Sequence, residues 1–169
     1  MLAFARTEAA AAQAQDVDVA RALDGRLVAW QPVATGRGAH LIRAGEKSAV
    51  ARVSREVLEQ SLDALIENAL KFGGEGVTVI LAARRPSDAY VDIHVIDDGP
   101  GMSAGDLARA ARPFWHRTRD TGTEGSGLGL TIVEALVAAA GGRLHLGRAQ
   151  PHGVDARIRV PLAGSGPMR

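Results

Sequence analysis

The sequence predicts a two-layer α/β sandwich, in which helices cover one face of a mixed, mainly antiparallel β-sheet. Three patterns support this fold class: an amphipathic helix after Ser54, an alternating strand at residues 90–96 and an apolar helix at residues 126–140. Short strand patterns surround them, which is the element order of a sheet packed under helices. A chain of 169 residues that is 46% hydrophobic is long enough for one domain with its own core.

The elements before the first long helix are predicted to be short. Residues 1–15 are rich in alanine and favour a helix. One strand is predicted at residues 27–30, and two more at residues 40–42 and 49–53, on either side of a turn at residues 45–47. No internal repeat or linker divides the chain.

The helix after Ser54 carries residue types that suit a metal and a phosphate. Ser54 is its predicted N-cap, and Asn68 and Lys71, three positions apart, share a face. An amide oxygen is a suitable ligand for Mg²⁺, and an ammonium group can meet a phosphate as a point charge. The alternative is a solvated face on which Glu67 pairs with Lys71. The apolar face of this helix is formed by Leu58, Leu62, Leu65, Ile66 and Ala69.

A carboxylate stands at the end of the second of two central strands, predicted at residues 77–83 and 90–96. Asp97 follows the second strand, and a carboxylate at the floor of an apolar pocket can accept a hydrogen bond from an exocyclic amine such as adenine N6. Gly99 and Gly101 allow a ligand to approach the backbone closely. The alternative is a simple turn, which Asp-Gly and Gly-Pro pairs also form.

A glycine cluster at residues 125–130 opens the last helix. Glycines before a helix leave backbone N–H groups free for a phosphate, and the helix dipole favours the negative charge. The spacing differs from the dinucleotide fingerprint and from the P-loop. The alternative is a flexible hinge.

The remaining segments are a short helix and loop before this cluster and a hairpin after it. The short helix is predicted to start at Ser103 or Gly105. Residues 112–125 form a loop whose length is typical of a functional lid or a disordered segment. The hairpin is predicted at residues 143–147 and 156–160, and residues 161–169 are predicted to be a tail.

Together these segments resemble the ATP-binding catalytic domain of bacterial sensor histidine kinases, within the gyrase, chaperone, histidine kinase and mismatch-repair ATPase superfamily. The resemblance covers residues 53–162 and implies a Bergerat-type ATP-binding fold. Four boxes occur in order: residues 63–72 resemble the N box, 97–101 the G1 box, 113–117 the F box and 125–130 the G2 box.

The resemblance implies a role for each matching residue. Asn68 would hold Mg²⁺ and would form the catalytic pair with Lys71, and Asp97 would read the adenine amine. The nucleotide would lie between the Ser54 helix, the Asp97 turn and the 112–125 lid. The residues expected to bind Mg-ATP are Asn68, Lys71, Asp97, Gly99, Gly101, Arg117, Gly125, Ser126, Gly127, Leu128, Gly129 and Leu130.

Three positions depart from the family pattern: Ala64, Ala111 and Ala140 stand where an asparagine, a phenylalanine and a histidine are usual. Hydrolytic members and anti-sigma serine kinases resemble each other in having a glutamate general base at the position of Ala64. Alanine cannot accept a proton, so these two activities are disfavoured. Glu67 does not obviously replace the base, because it points about 100° away from Asn68 around the helix.

A histidine kinase needs a phosphoacceptor, which is normally a histidine followed by an acidic residue. None of the five histidines, His40, His94, His116, His145 and His152, has that neighbour. His116 lies in the predicted lid, where it either approaches phosphate or is a surface group. The acceptor is therefore expected on a separate dimerisation or phosphotransfer domain or on a partner kinase chain, with a response regulator as an indirect partner.

The resemblance extends weakly to the first residues, since residues 2–6 resemble the end of the second dimerisation helix. Residues 1–20 are therefore expected to be the end of that helix and a linker, residues 21–162 the ATPase domain and residues 163–169 a flexible tail. Two other functions stay open: a nucleotide-gated module that binds a protein without phosphotransfer, and a hydrolytic ATPase.

Composition excludes several classes of protein. The chain has 20 Lys and Arg against 19 Asp and Glu, which argues against nucleic acid as the main partner. It has no cysteine, so it has no disulfide and no thiolate metal site. No apolar run is long enough to span a membrane, and residues 1–14 lack the layout of a signal peptide. The sequence predicts a cytoplasmic domain without direct membrane insertion.

Overall fold

The computed structural model describes residues 14–110 and 129–164. Their elements, in chain order, are β1 (Gln15–Asp18), α1 (Val19–Gly36), β2 (His40–Gly45), β3 (Val50–Val53), α2 (Arg55–Phe72), β4 (Thr78–Arg84), β5 (Tyr90–Asp97), α3 (Ala104–Leu107), α4 (Gly129–Ala139), β6 (Arg143–Arg148) and β7 (Val154–Pro161).

Within the described ranges, the main sheet has five strands in the order β2-β4-β5-β7-β6. Only β2 and β4 are parallel, and the other neighbours are antiparallel. The register places Ile93 of β5 opposite Ala83 of β4 and Ile158 of β7. A second, two-stranded sheet pairs β1 with β3. The predicted mixed, mainly antiparallel sheet is confirmed.

The core lies between one face of the main sheet and the long helices. In β5 the alternate residues Val91, Ile93 and Val95 are buried in the same apolar cluster as Leu62 of α2 and Val133 of α4. Contacts join α1 to β2, α2 to β5 and α4 to β6. This arrangement confirms the two-layer sandwich and brings the C-terminal end of α2 and the start of α4 toward the end of β5.

The boundaries of α2 follow from its sequence. The Ser54 hydroxyl accepts a hydrogen bond from the Val57 amide at 3.5 Å, as predicted for the N-cap, and Glu56 lies in the first turn. The helix ends at Phe72, just before Gly73. The predicted apolar face is buried, and it also includes Val57 and Leu70.

The strand predicted at residues 27–30 is wrong, because these residues lie inside α1. Asp18 caps this helix by accepting a hydrogen bond from the Arg21 amide at 3.0 Å. Val19 and Leu23 are buried, and Leu27 and Trp30 pack partly against the core at helical spacing. Val28, the residue that most favoured a strand, is 71% exposed, so the longer helical periodicity outweighs its local preference.

The structure places residues 15–20 within the packed domain, although the sequence analysis assigned them to a linker. Gln15–Asp18 pairs with β3, and both Val17 and Val19 are fully buried. Gln15, the last residue of the helix predicted at residues 1–15, is the first residue of β1, and residues 1–13 lie outside the described part of the chain.

The predicted tail starts later than residue 161. Pro161 is the last residue of β7, and Leu162 is buried and bridges Ala51 of β3. The Ala163 amide donates to the Val50 carbonyl at 2.8 Å. Within the described ranges, no helix is both long enough and apolar enough to span a membrane.

Candidate functional site

Four parts of the fold meet at one end of the main sheet. They are the last turns of α2, the segment from Asp97 to Gly101, the start of α4 and the turn between β6 and β7. We call residues 97–101 the nucleotide loop and residues 149–153 the hairpin turn. Asp97 is the last residue of β5, as predicted, and the nucleotide loop follows it directly.

The Asp97 carboxylate is held by backbone amides through one of its two oxygens. Its Oδ1 atom accepts from the Gly99 amide at 3.0 Å and from the Val154 amide at 3.2 Å. No residue in the described part of the chain donates a hydrogen bond to Oδ2. The carboxylate therefore has a set orientation and one acceptor oxygen left for a ligand.

The environment of Asp97 favours its neutral form more than water does. Burial raises the pKa of Asp97, and the nearby charge of Asp98 adds to this rise. The hydrogen bonds from Gly99 and Val154 and the charge of His152 act in the opposite direction. A carboxyl with a raised pKa in a ligand-binding cleft is a candidate functional group.

Asp98 has a different role from its neighbour. Its Oδ1 atom accepts from the Thr78 amide at 2.7 Å, and its own amide donates to the Thr78 carbonyl at 3.2 Å. Asp98 therefore fastens the nucleotide loop to the start of β4. Of the two adjacent aspartates, Asp98 is exposed, whereas Asp97 is partly buried.

Glycines allow the backbones around Asp97 to approach each other. A Cβ atom on Gly99 would lie 2.6 Å from the Gly73 Cα atom at the end of α2. Gly153 has a φ of +108°, and a side chain there would overlap the Asp97 carbonyl oxygen. Gly73 and Gly153 were not predicted as site residues, since sequence alone does not reveal which segments their backbones contact.

Asn68 lies beside the N-terminal end of α4. A Cβ atom on Gly129 would lie 3.8 Å from the Asn68 amide nitrogen and 3.9 Å from its oxygen. Lys71 is in the last turn of α2, and its Nζ atom lies 5.5 Å from the centroid of the Phe72 ring. The structure thus brings Asn68 and Gly129, predicted from two distant motifs, into one place.

Several predicted site residues lie outside the described ranges. They are Arg117, Gly125, Ser126, Gly127 and Leu128, together with the 112–125 loop, His116 and Ala111. Of the last box, Gly129 is the first residue of α4, and Leu130 packs partly against the core.

The departure at Ala64 places a methyl group, and no base, against the core. Ala64 is partly buried on α2, whereas Glu67 is exposed. The preceding residue, Asp63, accepts hydrogen bonds from Trp30 Nε1 at 2.7 Å and Arg26 Nη1 at 3.0 Å. The carboxylate closest to Ala64 in sequence is therefore used to join α1 to α2.

Comparison with known proteins gives the same assignment as the motifs. Residues 54–164 match the model of the histidine kinase-, DNA gyrase B- and HSP90-like ATPases. The sensor histidine kinase component HK1 of Mycobacterium tuberculosis is 33% identical over 124 residues, which cover 73% of this chain and 72% of that relative. The probable sensor histidine kinase HK of another strain is also 33% identical, but the chain spans only 32% of its length.

Solved structures agree with these relatives. Full-length ShkA, solved in complex with AMPPNP, has a TM-score of 0.79 and 31% identity over 99% of this chain and 36% of its own. The mycobacterial sensor histidine kinase MprB has a TM-score of 0.74 over 92% of this chain and 99% of its own, and at 23% identity it supports the fold alone. Because the family match spans more than half of the sequence, this chain belongs to the histidine kinase-, DNA gyrase B- and HSP90-like ATPases, as the ATP-binding catalytic domain of a histidine kinase.

Proposed function

We propose that this domain binds Mg-ATP with Asp97 as the residue that recognises adenine. The observation that carries the proposal is the arrangement of the carboxylate: Oδ1 is held by two backbone amides, and Oδ2 accepts from no described residue. An acceptor of this kind suits the exocyclic amine of adenine and disfavours the carbonyl of guanine at the same ring position.

The phosphate end of the nucleotide would lie toward α2 and α4. Asn68 supplies an amide oxygen for Mg²⁺, which takes few protein ligands and keeps several waters. Lys71 supplies a positive charge three residues further along the same helix. The N-terminal end of α4 adjoins Asn68, and the dipole of a helix favours phosphate at that end. The donor set therefore fits a magnesium nucleotide.

The proposed reaction is transfer of the ATP γ-phosphoryl group to a histidine on a separate domain or partner chain. Such transfer depends mainly on positioning and on stabilisation of charge, which Mg²⁺ and Lys71 would supply. Among the described histidines, His94 is buried and bonded to Asp155, and none is followed by an acidic residue. The Mycobacterium tuberculosis relative, 72% of whose length is covered by the match, is named a component of a sensor histidine kinase. That name is consistent with transfer between chains.

The test is a transfer assay with labelled ATP, Mg²⁺ and a dimerisation domain that carries the acceptor histidine. The label should appear on the partner alone and should be labile to acid and stable to base. Asn68→Ala should abolish transfer, and so should replacement of the partner's histidine. The exposed Glu67→Gln is the matched control on the next position of α2 and should retain transfer.

Binding should show the adenine role separately from transfer. Loss of a charge-assisted hydrogen bond costs about 1.5–3 kcal/mol, so Asp97→Ala should weaken ATP roughly ten- to a hundredfold and GTP much less. Equal weakening of both nucleotides in calorimetric titrations would contradict the role of Asp97. ATP binding without any transfer would instead favour the nucleotide-gated binding module, and steady phosphate release by the chain alone would favour a hydrolytic ATPase.

The proposal extends to partners and location. A response regulator would receive the phosphoryl group from the partner histidine, and both steps would take place in the cytoplasm. Phosphate that appears on a regulator only when this domain, its partner and ATP are all present would support this order of transfer.

A further inference from the structure

The hairpin turn and the first residue of β7 contact the nucleotide loop, and one of these contacts is made by a side chain. His152 Nδ1 lies 3.1 Å from the Gly99 carbonyl oxygen. Gly153 packs directly against the Asp97 backbone, and the Val154 amide donates to Asp97 Oδ1 at 3.2 Å. The loop that carries the candidate adenine-reading carboxylate is therefore fixed by residues more than 50 positions later in the chain.

The contact requires a hydrogen on one particular ring nitrogen of His152. A carbonyl oxygen can only accept, so the Nδ1 atom of His152 must carry the hydrogen. The bond is present whether the ring is the neutral Nδ1–H form or the cation. His152 thus holds Gly99, whose amide in turn donates to Asp97 Oδ1 at 3.0 Å.

The hairpin turn is closed by an internal hydrogen bond and is followed by a strand that is fixed to β5, so it can act as a support. At its start the Ala149 amide donates to the Gly153 carbonyl at 3.1 Å. Just after its end, Asp155 of β7 accepts from Nδ1 of the buried His94 of β5 at 2.8 Å. The first residues of β7 are thereby held to β5 next to Asp97.

The charge of His152 also acts on the carboxylate. It lowers the pKa of Asp97, against the rise that burial causes. An ionised Asp97 is the better acceptor for an amine, because a hydrogen bond to a charged group is stronger than one between neutral groups.

We propose that His152 is a positioning residue for adenine recognition: it fixes Gly99 and thereby orients the Asp97 carboxylate toward the base. This inference rests on the proposed function, because it assumes that Asp97 reads adenine. His152 itself need not touch the nucleotide.

The experiment compares His152→Ala with His152→Asn by calorimetric titration with Mg-ATP and Mg-GTP. Alanine removes the donor, and one neutral hydrogen bond of ordinary strength corresponds to a loss of ATP affinity of about three- to tenfold. Asparagine places an amide N–H near the position of Nδ1 and should restore ATP affinity to within about twofold of the original. GTP affinity should change little in either variant. The matched control is His145→Ala, which removes an exposed histidine of β6 outside the hairpin turn.

A double-mutant cycle separates positioning from a general structural effect. In the Asp97→Ala background, His152→Ala should cause no further loss of ATP affinity, because the carboxylate that it orients is absent. Additive losses, or an equal fall in ATP and GTP affinity, would overturn the proposal. If the unaltered domain binds ATP and Asp97→Ala has no effect, the proposed function fails; if Asp97→Ala weakens ATP but His152→Ala does not, only this inference fails.

Discussion

At the scale of single residues, the partial burial of the Asp97 carboxylate has a cost in stability, and its proposed role is in binding. Its raised pKa means that ionisation is less favourable in the folded chain than in the unfolded one. The charge therefore reduces stability above the folded pKa, and this reduction disappears as the pH falls toward and below the ordinary value of 3.8. Such a cost is typical of binding groups that are kept for function.

Asp97→Asn should separate the two effects. The amide oxygen can still accept from Gly99 and Val154, while the buried charge is removed. We expect a higher melting temperature than the original at pH 7 and a difference that shrinks as the pH approaches 3.8. The amide NH₂ would face the base, so ATP affinity should fall and affinity for a 6-oxo purine nucleotide should rise. A lower melting temperature at pH 7 would mean that the hydrogen bonds to the charged oxygen outweigh the burial of the charge.

At the scale of elements, α1 and α2 are joined by a polar contact and not only by apolar packing. Asp63 of α2 accepts from Trp30 Nε1 at 2.7 Å and from Arg26 Nη1 at 3.0 Å. The indole N–H and the carboxylate are both only partly buried, so the bond is of moderate strength. This contact holds α2 against α1 at Asp63, which lies more than one helical turn before Asn68 and Lys71.

Trp30→Phe tests this contact with little change in packing. It removes the N–H and keeps most of the aromatic surface, so we expect a loss of about 1 kcal/mol in the free energy of unfolding in urea. ATP affinity should stay within about twofold, because the change lies outside the site. Gln31→Ala on the exposed side of α1 is the control and should have a smaller effect. An equal loss for both variants would show that the Asp63 contact does not stabilise the helix pair.

At the scale of the whole molecule, the sheet has a polar network on the face that turns away from the core. Asp92 alternates with the core residues of β5 and is only 4% exposed. Its carboxylate accepts hydrogen bonds from Arg159 of β7 at 2.6 and 2.7 Å. Arg157 Nη1 lies 3.7 Å from Asp92 Oδ2. Burial alone would raise the pKa of Asp92. The hydrogen bond from Arg159 and the charges of Arg159, Arg157 and His94 together lower it below its ordinary value.

This network should make global stability depend on pH. A lowered pKa contributes stability that is present above the ordinary value of 3.8 and is lost as the pH falls through the lower, folded value. The two arginines are about one third exposed, so we expect Asp92→Asn to cost roughly 1–3 kcal/mol at pH 7 and much less near pH 3. The control is Asp88→Asn, in an exposed pair with Arg85, which should leave unfolding unchanged. Chemical unfolding across this pH range measures both, and a loss for Asp92→Asn that is independent of pH would contradict the electrostatic origin.

The sequence by itself determined the fold class, the helix after Ser54 and the strand that ends at Asp97. These features depend on interactions between near neighbours: side-chain periodicity, a serine N-cap and a carboxylate placed directly after an apolar strand. The order of the motifs also sufficed for the family, which the match over residues 54–164 confirms. The roles of Asn68, Lys71 and the glycines of residues 125–129 remain predictions, since no observation on this chain tests them.

Tertiary structure decided what depends on residues far apart in the sequence. Residues 27–30 have a local preference for a strand, but they form part of α1 because Leu23 and Trp30 pack on the core from one helical face. In the folded chain, the Val154 amide donates to Asp97 Oδ1, and His152 donates to the Gly99 carbonyl. No sequence pattern predicts these contacts, because they arise only when the antiparallel pairing of β5 with β7 brings residues 97 and 154 together.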